Sequence, residues 1–125
     1  MKIIILLLLF LIVGCGEEEI IIDNRNNPPL GIVQVDYEEL TRSLDYDHIA
    51  IIDVRTPDEY QRGHIEGAIS IPIDQLSERV NDLLQYDEII VYCRTNNRAT
   101  QAYNILQNHF DAIYVFYEGY EKCCN

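Results

Sequence analysis

Basic residues are scarce in this sequence of 125 amino acids. Nine lysine and arginine residues stand against 21 aspartate and glutamate residues, and the formal net charge is −12 at pH 7. A protein that binds DNA or RNA needs a basic surface to meet the phosphate backbone. The charge balance therefore argues against nucleic acid as a partner.

No apolar run is long enough to cross a membrane. The longest spans residues 3–13, which is eleven amino acids, whereas a spanning helix needs about 20. Because Met1-Lys2 precedes it, the run has the form of a secretion signal, with a charged start and a short apolar centre. We therefore expect residues 1–14 to be a signal peptide.

This apolar run ends at a cysteine. Residues 12–15, Ile-Val-Gly-Cys, are similar to a bacterial lipobox, in which the cysteine is lipidated and becomes N-terminal after cleavage. Acyl chains on Cys15 would anchor the protein firmly, and a free cysteine at an ordinary signal-peptidase site is the alternative. The expected location is the cell envelope, on the periplasmic face of the inner or the outer membrane if the cell is Gram-negative.

Neither an internal repeat nor a low-complexity tract divides the rest of the chain, and its length suits one domain. Residues 16–30 are dominated by charges and turn formers, so we interpret residues 15–30 as the lipidated cysteine and a tether. The three isoleucines at 20–22 could add a short strand or lie against the domain. Residues 31–125 are the predicted folded domain.

Short apolar runs alternate with amphipathic stretches in this domain. Strands are predicted at residues 32–35, 48–54, 68–71, 89–92 and 112–116. Helices are predicted from an Asp36 capping box to Leu44, over residues 58–61, from an Asp74 cap through Leu84, and over residues 99–106. Such alternation is typical of an α/β fold, here a central parallel sheet of about five strands with helices on both faces.

The predicted strand at residues 89–92 runs directly into Cys93, and a helix follows. Ligands of open α/β sheets bind beyond the carboxyl ends of the strands, where a helix N-terminus offers unpaired N–H groups and partial positive charge. Arg94 and Arg98 add two full charges, which indicates a pocket for an anion and favours the nucleophilic thiolate. Cys93 is the candidate nucleophile, and a buried structural cysteine is the alternative.

Cys93 and Arg98, with four residues between them, resemble the active-site loop of the rhodanese (sulfurtransferase) family. Three further groups of residues are similar to the upstream signature of that family: Asp53-Val54-Arg55, Glu59-Tyr60 and residues 63–68, Gly-His-Ile-Glu-Gly-Ala. The resemblance covers most of residues 51–99. It implies a single rhodanese-like domain with sulfurtransferase activity.

The resemblance also implies a reaction. Cys93 would take the outer sulfur of a small anion such as thiosulfate, become a persulfide, and pass the sulfur to a thiol, to cyanide or to a protein thiol. Backbone N–H groups of the loop, which includes Thr95, would hold the persulfide anion. Arg98 would close the loop and help to hold this anion, and Arg94 would face the incoming substrate. No metal and no cofactor is implied.

Glycine is common in the family at the position of Asn96. Asparagine tolerates a left-handed backbone better than most residues, so we expect Asn96 to be left-handed and somewhat strained. The amide of Asn97 could face the substrate, or Asn97 could be a solvated turn residue.

Charged residues of the upstream signature are expected to brace the loop rather than to react. Asp53 and Arg55 are predicted to form a partly buried ion pair, joined by Glu59. His64 is expected to be a hydrogen-bonded structural histidine.

Few residues follow the last predicted strand. Members of the family usually finish with a glycine-bearing turn and a further helix, and we expect that layer to be thin here. Cys123 and Cys124 are adjacent, so a disulfide between them would be strained. They could instead be a resolving pair, a metal-binding pair or part of an exposed terminus.

Two other functions compete with the sulfurtransferase. A cysteine-dependent phosphatase or arsenate reductase of the related fold also has a cysteine loop that ends in arginine, but with five intervening residues instead of four. A smaller ring of N–H groups suits one sulfur atom better than a tetrahedral oxyanion. A sulfur-carrying or binding module without turnover is the second alternative.

The lipobox generates one prediction. Cys15→Ser is expected to move the protein from the detergent phase to the aqueous phase in phase partitioning, because it removes the lipidated side chain. Unchanged partitioning of this variant would contradict the lipid anchor.

Overall fold

The structure is a computed structural model, and it describes residues 32–124. The predicted signal peptide, Cys15 and the predicted tether lie outside these residues. Among the helices within them, none is long and apolar enough to cross a bilayer.

Strands and helices alternate along the described chain, as the sequence predicts. The elements in chain order are β1 (Val33–Val35), α1 (Tyr37–Ser43), β2 (Ile49–Asp53), α2 (Pro57–Arg62), β3 (Ile69–Ser70), α3 (Ile73–Leu76), a 3-10 helix (Val80–Leu83), β4 (Glu88–Tyr92), α4 (Asn97–Leu106), β5 (Ala112–Phe116) and α5 (Gly119–Cys124).

The strands form one five-stranded sheet in the order β1-β5-β4-β2-β3, and every neighbouring pair is parallel. β4 is the central strand, and its last residue, Tyr92, pairs with Asp53 at the end of β2. The α/β fold with a parallel sheet of five strands is confirmed. The register brings the segments that follow β2 and β4 to the same edge of the sheet.

Apolar side chains of the sheet alternate between two buried layers. Ile89 and Val91 of β4 pack with α3 and α4 on one face, whereas Ile90 and Tyr92 pack with α1, α2 and α5 on the other. Successive residues of a strand point to opposite faces, so an uninterrupted apolar strand requires cover on both sides. The predicted helices on both faces are therefore present.

Capping boxes start the first two helices. The Asp36 carboxylate accepts the N–H of Glu39 at 2.8 Å, and the Glu39 carboxylate accepts the N–H of Asp36 at 2.9 Å, which confirms the predicted start of α1. Thr56 and Glu59 form the same reciprocal pair at α2, with Pro57 in the first turn. Each box satisfies N–H groups that have no partner within the helix.

The stretch between β3 and β4 corrects the prediction of one helix through Leu84. α3 ends at Leu76 and is followed by a separate 3-10 helix, and Pro72 rather than Asp74 stands at the N-cap of α3. Arg79 lies between the two helices with φ −110° and ψ 11°. Serine, asparagine and aspartate side chains in this stretch compete for backbone hydrogen bonds, which disfavours a continuous helix. Leu84 is exposed and does not join the predicted apolar face.

The segment after β5 also differs from the prediction. Residues 117 and 118 form a turn, and α5 then begins at Gly119, whose φ is 76°. Tyr120, Cys123 and Cys124 of this helix pack against the layer that contains Tyr92 and Phe116. The expectation of a thin layer is wrong, because a helix of six residues packs on this side of the sheet together with α1 and α2.

Glu59 joins the start of α2 to the start of α4. Its carboxylate accepts the hydroxyl of Thr56 at 3.1 Å and both terminal nitrogens of Arg98, at 2.6 and 3.0 Å. The hydrogen bonds from Arg98 are the largest cause of a pKa for Glu59 of about 2, against an ordinary value of 4.5. A single carboxylate thus links two elements that lie 39 residues apart in sequence.

We predict that Glu59→Gln destabilises the protein by roughly 2 kcal/mol near neutral pH, because it leaves Arg98 without a counter-charge. The folded-state pKa lies below the ordinary value of 4.5, so the carboxylate stabilises the fold fully above that value and loses this contribution as the pH falls through about 2. Urea unfolding over a pH series should show that the difference in free energy of unfolding between variant and wild type becomes smaller toward acid pH.

Glu121→Gln is the matched control for this prediction. Glu121 also binds an arginine, but the Arg94 side chain in that pair is 61% exposed, and exposed pairs contribute little to stability. The prediction would be contradicted if Glu59→Gln lowered the free energy of unfolding by the same amount at neutral and at acid pH.

Candidate active site

The candidate nucleophile stands at the centre of the sheet edge. β4 ends at Tyr92, residues 93–96 form a loop, and α4 begins at Asn97. Because β4 is the central strand of a parallel sheet, this loop lies at the carboxyl edge of the sheet, where α/β proteins bind ligands. The expected position of Cys93 between a strand and a helix N-terminus agrees with the structure.

Cys93 is enclosed, with 1% of its surface exposed. Its Sγ accepts the N–H of Ala99, in the first turn of α4, at 3.3 Å. Burial raises the pKa of the thiol, while the backbone N–H groups of Ala99, Thr95 and Arg98 and the charge of Arg98 act in the opposite direction. The expectation of an acidified thiol is therefore wrong in its net direction, because sequence spacing does not report how fully the sulfur is desolvated.

Both arginines of the loop are paired with carboxylates. The Arg98 and Glu59 side chains are 28% and 21% exposed, and their pair is bidentate. Arg94 is directed to solvent and binds Glu121 through two hydrogen bonds, at 3.1 and 3.2 Å. The loop is not the open, doubly basic pocket that its sequence indicates. Of the two guanidinium charges, that of Arg98 acts to lower the pKa of the Cys93 thiol.

Helix α5, to which the sequence analysis assigned no residues, supports the loop from its other side. The N–H of Tyr120 donates to the carbonyl of Cys93 at 2.9 Å, and the N–H of Glu121 donates to the carbonyl of Arg94 at 3.0 Å. A Cβ atom on Gly119 would collide with the carbonyl oxygens of Arg94 and Thr95. Only glycine allows this close approach, and a glycine three residues after the end of the last strand is the signal that could have revealed the contact.

The remaining loop residues correct one expectation. Asn96 is the N-cap of α4 with φ −147°, and its side chain makes no capping hydrogen bond. Its backbone is not left-handed, so the expected strain is absent. The carbonyl of Asn96 accepts the N–H and the hydroxyl of Thr100, at 2.9 and 3.0 Å. Asn97 is exposed at the first position of α4.

Asp53 and Arg55 form an ion pair that is fully rather than partly buried, with 0% and 4% of the two residues exposed. The Arg55 Nη2 donates to the Asp53 carboxylate and to the carbonyl of Gly63, both at 2.7 Å. The guanidinium lies 4.1 Å from the centre of the Tyr120 ring. Glu59 does not join this pair as predicted, because it binds Arg98 instead.

His64 has the structural surroundings that were expected. Its Nδ1 lies 2.8 Å from the carbonyl oxygen of Tyr60, and its ring stacks on the Tyr60 ring at 3.7 Å. The next residue, Ile65, donates its N–H to the Tyr92 hydroxyl at 3.1 Å. The segment around His64 therefore positions the end of β4.

A groove of about 580 Å³ lies beside the loop, which contributes Arg94 to its lining. Its walls come from α2, from Arg55 and Arg94, and from one side of α5 that includes Cys124. Cys123 and Cys124 are joined by a disulfide. Within residues 32–124, they belong to no cluster of three or more His, Cys, Asp or Glu side chains that could hold a metal ion. Cys93 is the free cysteine of this region.

The geometry is suited to holding one sulfur atom. The N–H of Ala99 donates to the Sγ of Cys93 at 3.3 Å, and the backbone N–H groups of Thr95 and Arg98 also act to lower the pKa of this thiol. Preorganised N–H donors stabilise negative charge in an enclosed site without further rearrangement. The arrangement can therefore stabilise a sulfur anion on Cys93 once the proton has been removed.

Known proteins are similar to this chain in sequence. A family model described as the rhodanese-like domain matches residues 36–125. The thiosulfate sulfurtransferase PspE of Escherichia coli is 40% identical over 57 residues, which cover 44% of this chain and 55% of that protein. A sulfurtransferase of Allochromatium vinosum is 27% identical over 93 residues, covering 74% of this chain and 78% of that protein.

Solved structures agree with the fold. The human single-domain sulfurtransferase TSTD1 matches with a TM-score of 0.63 at 20% identity, over 74% of this chain and 95% of that chain, and at that identity the likeness concerns the fold alone. The chain spans between 25% and 62% of the length of the first curated relatives that it matches. Because the family model covers more than half of the sequence, the chain belongs to the rhodanese-like domain family.

Proposed function

We propose that the protein is a sulfurtransferase that carries a sulfane sulfur as a persulfide on Cys93. The observation that supports this most directly is the hydrogen bond that the backbone N–H of Ala99, at the start of α4, donates to the buried Sγ of Cys93. Its relatives include proteins named sulfurtransferase. Donor, acceptor and mechanism are part of the proposal.

In the first half of the proposed reaction, the thiolate of Cys93 attacks the outer sulfur of thiosulfate. A bond forms between the two sulfur atoms, the sulfur–sulfur bond of thiosulfate breaks, and sulfite leaves with the electron pair. The Cys93 persulfide anion that remains is stabilised by the loop N–H groups and by the charge of Arg98. Since burial raises the pKa of the thiol, removal of its proton is part of the cost of this step.

In the second half, a nucleophile attacks the outer sulfur of the persulfide. Cyanide leaves as thiocyanate, or a thiolate leaves as a new persulfide, and Cys93 returns as a thiolate. Atoms and charge balance without an external oxidant or reductant. The reaction requires neither a metal nor a cofactor.

A sulfur carrier is the second candidate, and the closed state of the site favours it. Cys93 is almost completely buried, and both neighbouring arginines are occupied by carboxylates. Such a site would protect a bound sulfur from solvent and deliver it slowly. Repeated turnover distinguishes the enzyme from the carrier.

We further propose that lipidated Cys15 and the residues up to 30 tether this domain to the cell envelope. The support is the apolar run that ends at Gly14-Cys15. The donor and the acceptor would then meet the enzyme outside the cytoplasm.

We predict that the protein gains the mass of one sulfur atom on Cys93 when it is mixed with thiosulfate, and loses it again to cyanide or a thiol. Peptide mass mapping locates the added sulfur. Adduct formation should become faster as the pH rises above neutrality. Because the pKa of the thiol is raised, the thiol is largely protonated at neutral pH, and a higher pH produces more of the reactive thiolate.

Cys93→Ser is the control for this prediction and should form no adduct while remaining folded. An adduct that forms once but is not turned over would favour the carrier. If Cys93 hydrolyses aryl phosphates and forms no persulfide with any donor, the proposed sulfurtransferase activity is wrong and the protein is a phosphatase.

We also predict that Arg98→Ala slows persulfide formation roughly ten- to a hundredfold, since it removes a charge-assisted contact from an enclosed site. Arg94→Ala should have a smaller effect, because the Arg94 side chain is directed to solvent. Stopped-flow measurement of sulfite release provides the rates, and Arg98→Lys, which keeps the charge, should lie between wild type and Arg98→Ala. The reverse order of the two alanine variants would contradict these roles.

A further inference from the structure

The groove beside the loop has an excess of positive charge. Its walls contain three guanidinium groups, from Arg55, Arg62 and Arg94, and two carboxylates, from Glu59 and Glu121. The chain as a whole has a formal net charge of −12. A small anion is therefore repelled by the protein in general and attracted at this groove.

Most of these charged side chains already form ion pairs within the protein. Arg55 is bound by Asp53, Arg94 is bound by Glu121, and Glu59 is bound by an arginine at the start of α4. Each of these pairs includes hydrogen bonds between the two side chains. A ligand that used one of these groups would have to displace its partner.

Arg62 differs from the other charged residues of the groove. It is the last residue of α2, it is exposed, and it has no hydrogen-bond or ion-pair partner among residues 32–124. A free guanidinium offers two parallel N–H donors, which match the two oxygens of a carboxylate. Arg62 is thus the group in the groove that can bind an anion without breaking an existing pair.

The volume of the groove also exceeds what a small donor needs. At about 580 Å³, it lies within the range of sites that bind small organic molecules. Thiosulfate would fill a small part of it. The lining of this space includes both Arg94 of the loop and Arg62 at the end of α2.

We propose that Arg62 determines the specificity for the sulfur acceptor, and that this acceptor is a small thiol that carries a carboxylate. The inference rests on the proposed sulfurtransferase activity. The carboxylate binds Arg62 while the thiolate at the other end attacks the outer sulfur of the Cys93 persulfide. The new sulfur–sulfur bond forms on the acceptor, the bond to Cys93 breaks, and the Cys93 thiolate is the leaving group.

The first experiment measures sulfur transfer from the preformed Cys93 persulfide of the full-length protein. Three acceptors of similar length are compared: 3-mercaptopropionate, 2-mercaptoethanol and cysteamine, which are anionic, neutral and cationic. For each thiol, the ratio of the variant rate to the wild-type rate cancels the intrinsic reactivity of that thiol.

Arg62→Ala is expected to lower the rate with 3-mercaptopropionate by roughly fivefold at low salt, as for a solvent-exposed ion pair. The loss should appear in the half-saturating thiol concentration and not in the limiting rate. The rate with 2-mercaptoethanol should not change, and Arg62→Lys should recover part of the loss. Added salt should reduce the difference, because Arg62 is exposed.

Arg42→Ala is the matched control. Arg42 is also an exposed arginine near the end of a helix, but it lies on α1 and does not line the groove. For Arg42→Ala, the ratio of the variant rate to the wild-type rate should be one with all three thiols. If Arg62→Ala lowers the three rates equally, or lowers none of them, the proposal is wrong.

A second experiment needs no persulfide and so separates this proposal from the proposed function. The unreactive thioether 3-(methylthio)propanoate is titrated into the protein, and binding is followed by NMR. Wild type should bind it, and Arg62→Ala should bind it several-fold more weakly. Absence of binding to wild type, or equal binding to both proteins, would overturn the role of Arg62 whether or not Cys93 forms a persulfide.

Discussion

The site depends on backbone N–H groups that hold Cys93 from two sides. The start of α4 donates an N–H to its Sγ, and the start of α5 donates an N–H to its carbonyl oxygen. Because these donors belong to the main chain, their positions are set by the packing of two helices against the sheet. Gly119 is essential to this arrangement, since any side chain there would force α5 away from the loop.

Charge at the site is balanced locally, although the protein as a whole is strongly acidic. Asp53 and Arg55 are buried together, and Glu59 neutralises Arg98 where α2 meets α4. A buried charge without a partner is costly, so each arginine near the loop requires a carboxylate once it is shielded from water. These pairs leave the groove with little unpaired charge.

Much of the fold was predictable because its signals are local. The apolar run at residues 89–92 indicates a strand by itself, and the Asp36–Glu39 capping box marks a helix start within four residues. Where the local signal was weak, the prediction failed. The stretch before β4 has helical spacing of apolar residues but side chains that disfavour a helix, and α5 is too short to show a periodic pattern.

The sequence by itself determined the alternation of strands and helices, and with it the position of Cys93 at the end of the central strand. Only the tertiary structure decided how Cys93 is buried, which carboxylate pairs with which arginine, and that Asn96 is not left-handed. The physical reason is distance along the chain. Hydrophobic periodicity and capping act over a few residues, whereas Glu59 and Arg98, or Arg94 and Glu121, meet across 39 and 27 residues. Desolvation of the thiol likewise depends on every element that surrounds it.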